Sequence, residues 1–360
     1  MGVIHGALGL PDLDNSYVNQ VGQTTIYGAT VELIDRFNQE IATSTEFFVD
    51  QSTDLYKWRF KTIGGGELQL RMEQTAPQAV KAGPGYEVAL PLEDYAAQIL
   101  VDDVTIKKMR LQELNRHVET VLNQGRNVVR KQILRALFNN VARTFKDQEW
   151  GDLIIQPFAN GDGVLFEPTI GTSAYATENH FIVSNYLASA ISDTNDPYAV
   201  IVAELEEHYG ESAGGSNVVV LIHPDQANVT KAMTGFVDEP DRFIVLGDDT
   251  ARPAGSPNIP SSARIIGRVS GAWVATWRWI PTGYMLGIHA DAPAPLYERI
   301  DPIEQGFGRG LQLVAKDEEF PMESSFWRHR FGMGVVNRLN GVVVQLKASG
   351  SYDVPAALVY

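Results

Sequence analysis

Apolar residues recur at helical spacing through VTIKKMRLQELNRHVETVLNQGRNVVRKQILRALFN, from Val104 to Asn139. Leu111, Leu114, Val118, Val121 and Val128 are separated by three, four, three and seven positions, and a second stripe runs through Val129, Ile133 and Leu137. Gly125 fills the gap in the first stripe, and no proline interrupts the run. The pattern predicts one helix roughly 50 Å long at about 1.5 Å per residue, whereas globular helices average about 11–12 residues. Asp102 or Asp103 stands where an N-cap is expected, with Thr105 in the first turn. One narrow seam on so long a helix suits a coiled coil, a helical array or a strut in an elongated domain.

The pattern changes on either side. Residues 1 to about 27 hold no sustained period and are expected to be irregular. Val31, Ile34, Phe37 and Ile41 predict a short amphipathic helix over Val31–Phe48. LYKWRFKTI then alternates Tyr56, Trp58, Phe60 and Thr62 against Lys57, Arg59 and Lys61, breaks at Gly64–Gly66, alternates again in ELQLRMEQTA, and resumes after Gly83-Pro84-Gly85. This reads as a long two-stranded arm, which needs a surface to lie on because an isolated hairpin is marginal in water.

Beyond the long helix, GDLIIQPF and GVLFEPTI predict two strands joined by a turn at Ala159–Asp162. Phe181–Tyr209 predicts helix interrupted at Asp193–Pro197, SNVVVLIHP a buried strand, and PDQANVTKAMTG another helix. Strands follow at ARIIGRV, AWVATWRWIP and YMLGIHA, after a loop-rich stretch at 237–262. PAPLYERIDP, GLQLVAKDEEFPMES, FWRHRFGMGVVN and NGVVVQLKA close the chain as strands, with no internal repeat of 20–50 residues.

Composition narrows the classes. The chain has 360 residues, 44% of them hydrophobic, and no cysteine. Disulfides, thiolate metal sites and cysteine nucleophiles are therefore excluded. No window approaches the 18 or so uninterrupted apolar residues of a membrane span, and MGVIHGALGLPDLDNS lacks the features of a secretory signal. A net charge of −15 disfavours general nucleic-acid binding. Yet the long helical run is basic, with Lys107, Lys108, Arg110, Arg116, Arg126, Arg130, Lys131 and Arg135 against Glu113 and Glu119. It is either a solvated face balanced by acids elsewhere or a face turned toward a polyanion.

Candidate chemistry is sparse. No P-loop, no G-x-S-x-G elbow and no HExxH helix occurs. Gly306–Gly310 and Asn160–Gly163 are expected to be turns rather than a dinucleotide or calcium loop. The histidines at 5, 117, 180, 208, 223, 289 and 329 show no metal-ligand spacing, so no metal or cofactor is expected. His223 and Asp225, with an acid such as Glu239, are the one candidate catalytic set, although Pro224-Asp225 after a strand is also an ordinary helix start. Trp273, Trp277 and Trp279 share one parity and are expected on one packed strand face. The acids Asp317, Glu318 and Glu319 precede Arg328 and Arg330 by a few residues, a pattern suited to pairing between subunits or to solubility alone.

The order of these parts resembles the major capsid proteins of tailed double-stranded DNA bacteriophages. ARIIGRVSGAWVATWRWIPTGYMLGIHADAPAPLYERIDP and LQLVAKDEEFPMESSFWRHRFGMGVVNRLNGVVVQL read like their C-terminal halves. The resemblance implies an α+β fold with an N-arm, an extended β-hairpin loop, a long spine helix, and peripheral and axial domains. Residues 1–48 would be the arm and its helix, 49–101 the extended loop, and 102–179 the first part of the peripheral domain with the spine helix at 104–139. Residues 180–288 would be the axial domain, and 289–360 the returning strands and tail.

The same resemblance implies a structural, non-enzymatic protein that assembles through hexamers and pentamers into an icosahedral shell around double-stranded DNA, without sequence specificity. It would work with a separate scaffolding protein, a portal and a decoration protein, in a virion assembled in the bacterial cytoplasm. Arg59, Lys61, Arg71, Lys81, Glu318, Glu319, Arg328 and Arg330 become candidate contacts between subunits, and Arg126, Arg130 and Arg135 candidate genome-facing groups. Some relatives crosslink their shells through lysine and asparagine. Lys61 and Lys81 lie in the loop region, but no matching partners stand out, so no crosslink is expected. Encapsulins, which share this fold and enclose protein cargo, and a soluble enzyme using His223 and Asp225 are the alternatives.

Overall fold

The computed structural model describes residues 4–5, 10–11, 17–21, 23–61, 83–102, 105, 108–170, 174–209, 217–238, 259–260, 262–302, 308–317 and 322–360. In chain order the helices are α1 (Val18–Val21), α2 (Gln23–Thr45), α3 (Leu111–Phe138), α4 (Pro197–Tyr209) and α5 (Ala227–Lys231). The strands are β1 (Ile4–His5), β2 (Leu10–Pro11), β3 (Val49–Thr53), β4 (Lys57–Lys61), β5 (Gly85–Ala89), β6 (Glu93–Asp102), β7 (Arg143–Asp147), β8 (Gly151–Ile155) and β9 (Phe181–Val183). They continue with β10 (Val218–Ile222), β11 (Val237–Asp238), β12 (Arg264–Val269), β13 (Ala272–Thr276), β14 (Tyr284–His289), β15 (Leu296–Arg299), β16 (Gln312–Asp317), β17 (Met322–Val335) and β18 (Val342–Gln345).

The long helix is present but starts later than its apolar spacing suggests. It has 28 residues, or about 42 Å. Arg110 is extended (φ −79°, ψ 150°). Met109 accepts a hydrogen bond from the Val18 N–H at 3.1 Å, and Tyr17 bridges Arg110. Glu113 reaches back to accept the Arg110 N–H at 3.2 Å, satisfying a donor that the helix start would otherwise orphan. Asp102 ends β6, and the N-cap position of α3 is held by Arg110 instead. A pairing with the N-terminal segment thus overrides local helix preference at 109–110.

Nor is the helix buried along one narrow seam. Val118 and Val121 pack with Ile34 and Phe37 of α2, but in the last three turns Val129, Gln132, Ile133, Leu134, Ala136, Leu137 and Phe138 are all buried. A Cβ on Gly125 would sit 3.1 Å from the Phe37 ring, so the gap in the stripe is filled by a side chain of α2. The helix before it is also longer than expected. Its 23 residues start at Gln23, inside the stretch expected to be irregular.

Two sheets flank α3. The five-stranded sheet runs β16-β17-β15-β3, with β6 also on β17. The 14-residue β17 pairs along ten residues of β6, from Met322↔Asp102 to Phe331↔Glu93, and then passes to β15. The seven-stranded sheet runs β11-β12-β13-β10-β14-β18-β9. Its centre, β10, is buried throughout. Val219 and Leu221 face the main core with Ile133, Leu137 and Phe331, while Val218, Val220 and Ile222 face Tyr198, Ile201 and Leu205 of α4. That is the period-two partition of a strand covered on both faces. The helix sits close: a Cβ on Gly287 of β14 would lie 2.1 Å from Ile201 Cγ2.

Several sequence expectations need correction. Val342–Gln345 does not lie with the other closing strands; it enters the seven-stranded sheet between β14 and β9. β8 pairs with β7 rather than with 163–170. The turn joining them is set by Asp147, whose Oδ1 accepts the N–H groups of Glu149 and Trp150 at 2.9 and 3.0 Å, an Asx arrangement that fixes a tight reversal. Phe181 opens a strand, not a helix. The three tryptophans do not share a face, because β13 ends at Thr276: Trp273 and Trp277 are buried and Trp279 is 38% exposed. Gly64–Gly66 and most of the 237–262 stretch lie outside the described residues.

Candidate functional site

The sheet formed by β16, β17 and β6 has one face on α3 and one face open. Alternation along β6 turns Tyr95, Ala97 and Ile99 inward with Trp327, His329 and Phe331 of β17. On the outer face the register Leu100↔Ser324, Gln98↔Phe326, Ala96↔Arg328 and Asp94↔Arg330 brings exposed Leu100 and Phe326 into diagonal contact range. Val314 of β16 is exposed beside them. This open face carries two of the candidate intersubunit residues. Arg328 donates to both Asp94 carboxylate oxygens, at 2.8 and 2.6 Å, and Arg330 stands 2.8 Å from Asp301. Both arginines therefore pair within the chain with Asp94 and Asp301. Glu318 and Glu319 lie outside the described residues.

His329, on the inner face, carries a pH prediction. Burial, reinforced by the Arg309 charge, holds its imidazole down at about 4, against 6.5 for the free side chain. The unfolded chain then takes up the proton first, so stability is unaffected above about pH 6.5 and falls as the pH drops toward 4, by up to about 3 kcal/mol from this group. His329→Gln should remove that share of the slope. Urea unfolding at pH 7.5, 6 and 5 measures it, and an unchanged slope in the variant would refute the assignment.

The β4–β5 hairpin divides in the same way. Trp58, Phe60, Tyr86 and Val88 form its apolar side. Trp58 packs edge-on against Tyr297 at 5.4 Å, and Tyr86 meets Phe166 at 5.5 Å. The base of the arm therefore rests on its own chain rather than on a neighbour. Lys57, Arg59 and Lys61 point away into solvent. Arg59 is 71% exposed and only 4.0 Å from Glu87, a pair that contributes little to stability. Arg71 and Lys81 lie outside the described residues.

The three arginines of α3 expected to face a genome are all engaged inside the chain. Arg126, 27% exposed, pairs with Glu40 at 2.8 Å and lies over the Phe37 ring. Arg130 lies over Trp279 at 5.1 Å. Arg135 donates to the Val359 carbonyl at 2.9 Å and stacks on Tyr360. Arg116 and Lys131 are exposed on the same helix.

Two polar clusters escaped the sequence reading. Arg338, between β17 and β18, is 0% exposed. It donates to the carbonyls of Pro157 and Phe158 at 2.7 and 3.2 Å and to Asp162 at 2.8 Å, with its guanidinium over the Phe166 ring at 5.3 Å. Asn160–Gly163 is thus a turn, as expected, with Gly161 and Gly163 at φ 73° and 81°. Its Asp162 serves as counter-ion to a buried arginine. A lone arginine in the apolar run VVNRLNGVVV was the available signal. The second cluster is Glu178, Glu207 and His208, whose donor atoms lie within 4.8 Å of one another. It joins a loop to a helix end some thirty residues away, a proximity that spacing does not reveal.

The candidate catalytic pair behaves as a cap. His223 Nδ1 accepts the Asp225 N–H at 3.3 Å and lies 3.1 Å from its carboxylate, at the start of the turn Pro224–Gln226. Glu239 lies outside the described residues. A cleft of about 700 Å³ lies elsewhere, lined by Tyr56, Phe145, Trp150, Arg299, Asp301 and Arg330.

A seven-stranded sheet, a long helix and the β4–β5 hairpin make up an α+β architecture that matches the fold of phage capsid proteins. A solved chain of Mycobacterium phage Patience is similar over 99% of this chain and 94% of its own, with a TM-score of 0.66 at 19% identity. The mature capsid of bacteriophage PhiM1 aligns over 84% of this chain and 87% of its own, with a TM-score of 0.49 at 11% identity. The capsid of an empty GTA particle aligns over 85% and 90%, with a TM-score of 0.48 at 12% identity. No protein-family profile and no curated protein sequence matches the chain. At such identities the likeness is one of fold.

Proposed function

We propose that this chain is a major capsid protein that assembles through hexamers and pentamers into an icosahedral shell enclosing double-stranded DNA, and that it is not an enzyme. The observation that carries this reading is a fold similar to that of a phage chain over 99% of this chain. Two surfaces agree with it. The outer face of the β6–β17–β16 sheet exposes Leu100, Phe326 and Val314, and the hairpin offers Lys57, Arg59 and Lys61. Closed shells provide neighbours for both. In this reading Arg59, Lys61, Arg71, Lys81, Glu318, Glu319, Arg328 and Arg330 lie at or near subunit contacts. Scaffolding, portal and decoration proteins are the further partners, and assembly takes place in the host cytoplasm before the protein resides in the virion.

A net charge of −15 suits a container that must hold DNA without adhering to it. Sedimentation of the purified chain, followed by analysis of what the fast fraction encloses, tests the reading. Large particles with nuclease-protected DNA, in the presence of the packaging machinery, are expected. Particles filled with an enzyme would instead indicate an encapsulin, and a persistent monomer would remove the shell role.

Arg126, Arg130 and Arg135 carry a separate prediction. Arg126 is paired with an acid, Glu40, but Arg130 and Arg135 hold their charge against rings and a carbonyl, so replacing all three with glutamine should lower the DNA retained per particle while empty shells still form. Unchanged DNA content would place this helix face away from the genome.

A further inference from the structure

Backbone hydrogen bonds tie the connection between β8 and β9 to itself and to the last turn of α4. Gly161 N–H donates to the Glu178 carbonyl, and Ile170 N–H to the Glu207 carbonyl, both at 2.9 Å. Between them, Glu178, Glu207 and His208 each place a donor atom within 4.8 Å of the other two. The His208 side chain is 0% exposed and its Nε2 lies 3.3 Å from Glu207 Oε1, yet neither ring nitrogen has a hydrogen-bond partner. Buried polar atoms without partners are rare and costly. The acids are equally uncompensated: among the described residues no lysine or arginine pairs with Glu178, Glu204 or Glu207. The nearby Arg338 is committed to Asp162.

We propose that Glu178, Glu207 and His208 form a binding site for a divalent transition-metal ion, with Zn²⁺ as the best fit. Zinc bonds to imidazole nitrogen and carboxylate oxygen at about 2.0–2.2 Å in tetrahedral geometry, which sets neighbouring donors about 3.4 Å apart. The 3.3 Å between His208 Nε2 and Glu207 Oε1 already meets that spacing. Glu178 offers its carboxylate within 4.8 Å of both, and water would fill the fourth position. One imidazole with two carboxylates is a borderline donor set. Mg²⁺ and Ca²⁺ favour all-oxygen shells of six or more ligands.

The ion would clamp the segment around Glu178 to α4, beside β9 at the edge of the seven-stranded sheet.

The test uses the full-length protein, treated with chelator and exchanged into clean buffer; it does not depend on whether shells form. Titration with CoCl₂, followed by its visible absorption, and with ZnCl₂, followed by calorimetry, should give one ion per chain. Zn²⁺ should displace Co²⁺, and millimolar Mg²⁺ or Ca²⁺ should not. Glu207→Gln and His208→Gln should each weaken Zn²⁺ binding by at least about tenfold. The near-isosteric Glu178→Gln should also weaken it while leaving the circular dichroism unchanged. Absence of saturable Zn²⁺ or Co²⁺ uptake by the wild type would overturn the proposal. So would uptake unchanged in the folded Glu178→Gln/Glu207→Gln double variant.

Discussion

Arg338→Ala is expected to lower the unfolding free energy of the subunit by about 3–5 kcal/mol, the range for breaking a buried ion pair from one side. The side chain is fully buried, and its loss leaves the Asp162 carboxylate without its counter-ion and the Pro157 and Phe158 carbonyls without a donor. It also empties the space against the Tyr86 and Phe166 rings. Three separated segments lose their common anchor: the hairpin through Tyr86, the 157–166 turn, and the connection into β18. Arg338→Lys keeps the charge but not the planar fork and should recover only part of the loss. Urea unfolding of unassembled subunits measures both, and a loss below about 1 kcal/mol for the alanine variant would show that the cluster is not the anchor described.

The second large effect falls on assembly instead of folding. Replacing residues 62–82 with a short Gly-Ser turn retains β4 and β5, whose apolar side is already packed on Tyr297, Val336 and Phe166. Subunit stability should change little, since the packing of β4 and β5 on the rest of the chain is kept. Closed particles should disappear, because in the proposed role this segment is what reaches a neighbouring copy. Unfolding curves and particle yield, measured on the same preparation, separate the two effects. Wild-type yields of closed shells from the shortened chain would show that the loop is dispensable for assembly.

The elements legible in the sequence are those whose burial follows a single period. β10, β12 and β14 are readable because both faces, or alternate faces, are committed to a core, whereas β17 runs unbroken from Met322 to Val335 across the break expected near Ser325. The long helix was readable through its a/d-like spacing, but not its start, because the break at Met109–Arg110 is imposed by Val18 and Tyr17, some ninety residues away. β7 was missed because RTFKD is half-exposed and its hairpin is fixed by Asp147 side-chain bonds rather than by an Asn-Gly turn. The α+β fold class was legible from the order of parts, and the similarity to the Patience chain agrees with it.

Site chemistry was less legible. Arg328 and Arg330 stood out as charges, but their partners Asp94 and Asp301 come from register and packing, not from the nearby acids at 317–319. Arg126, Arg130 and Arg135 looked free for a polyanion, although Glu40, Trp279 and Tyr360 occupy them. His208 had no ligand spacing in sequence, because Glu178 reaches it only through the fold.

Electron cryomicroscopy of particles formed by the full-length chain tests the central claim most directly. The account predicts a closed icosahedral shell of hexamers and pentamers, with the stretch beyond β4 lying on an adjacent subunit and the outer face around Leu100 and Phe326 covered. A discrete monomer or small oligomer at assembly concentrations, with that face bare, would contradict it.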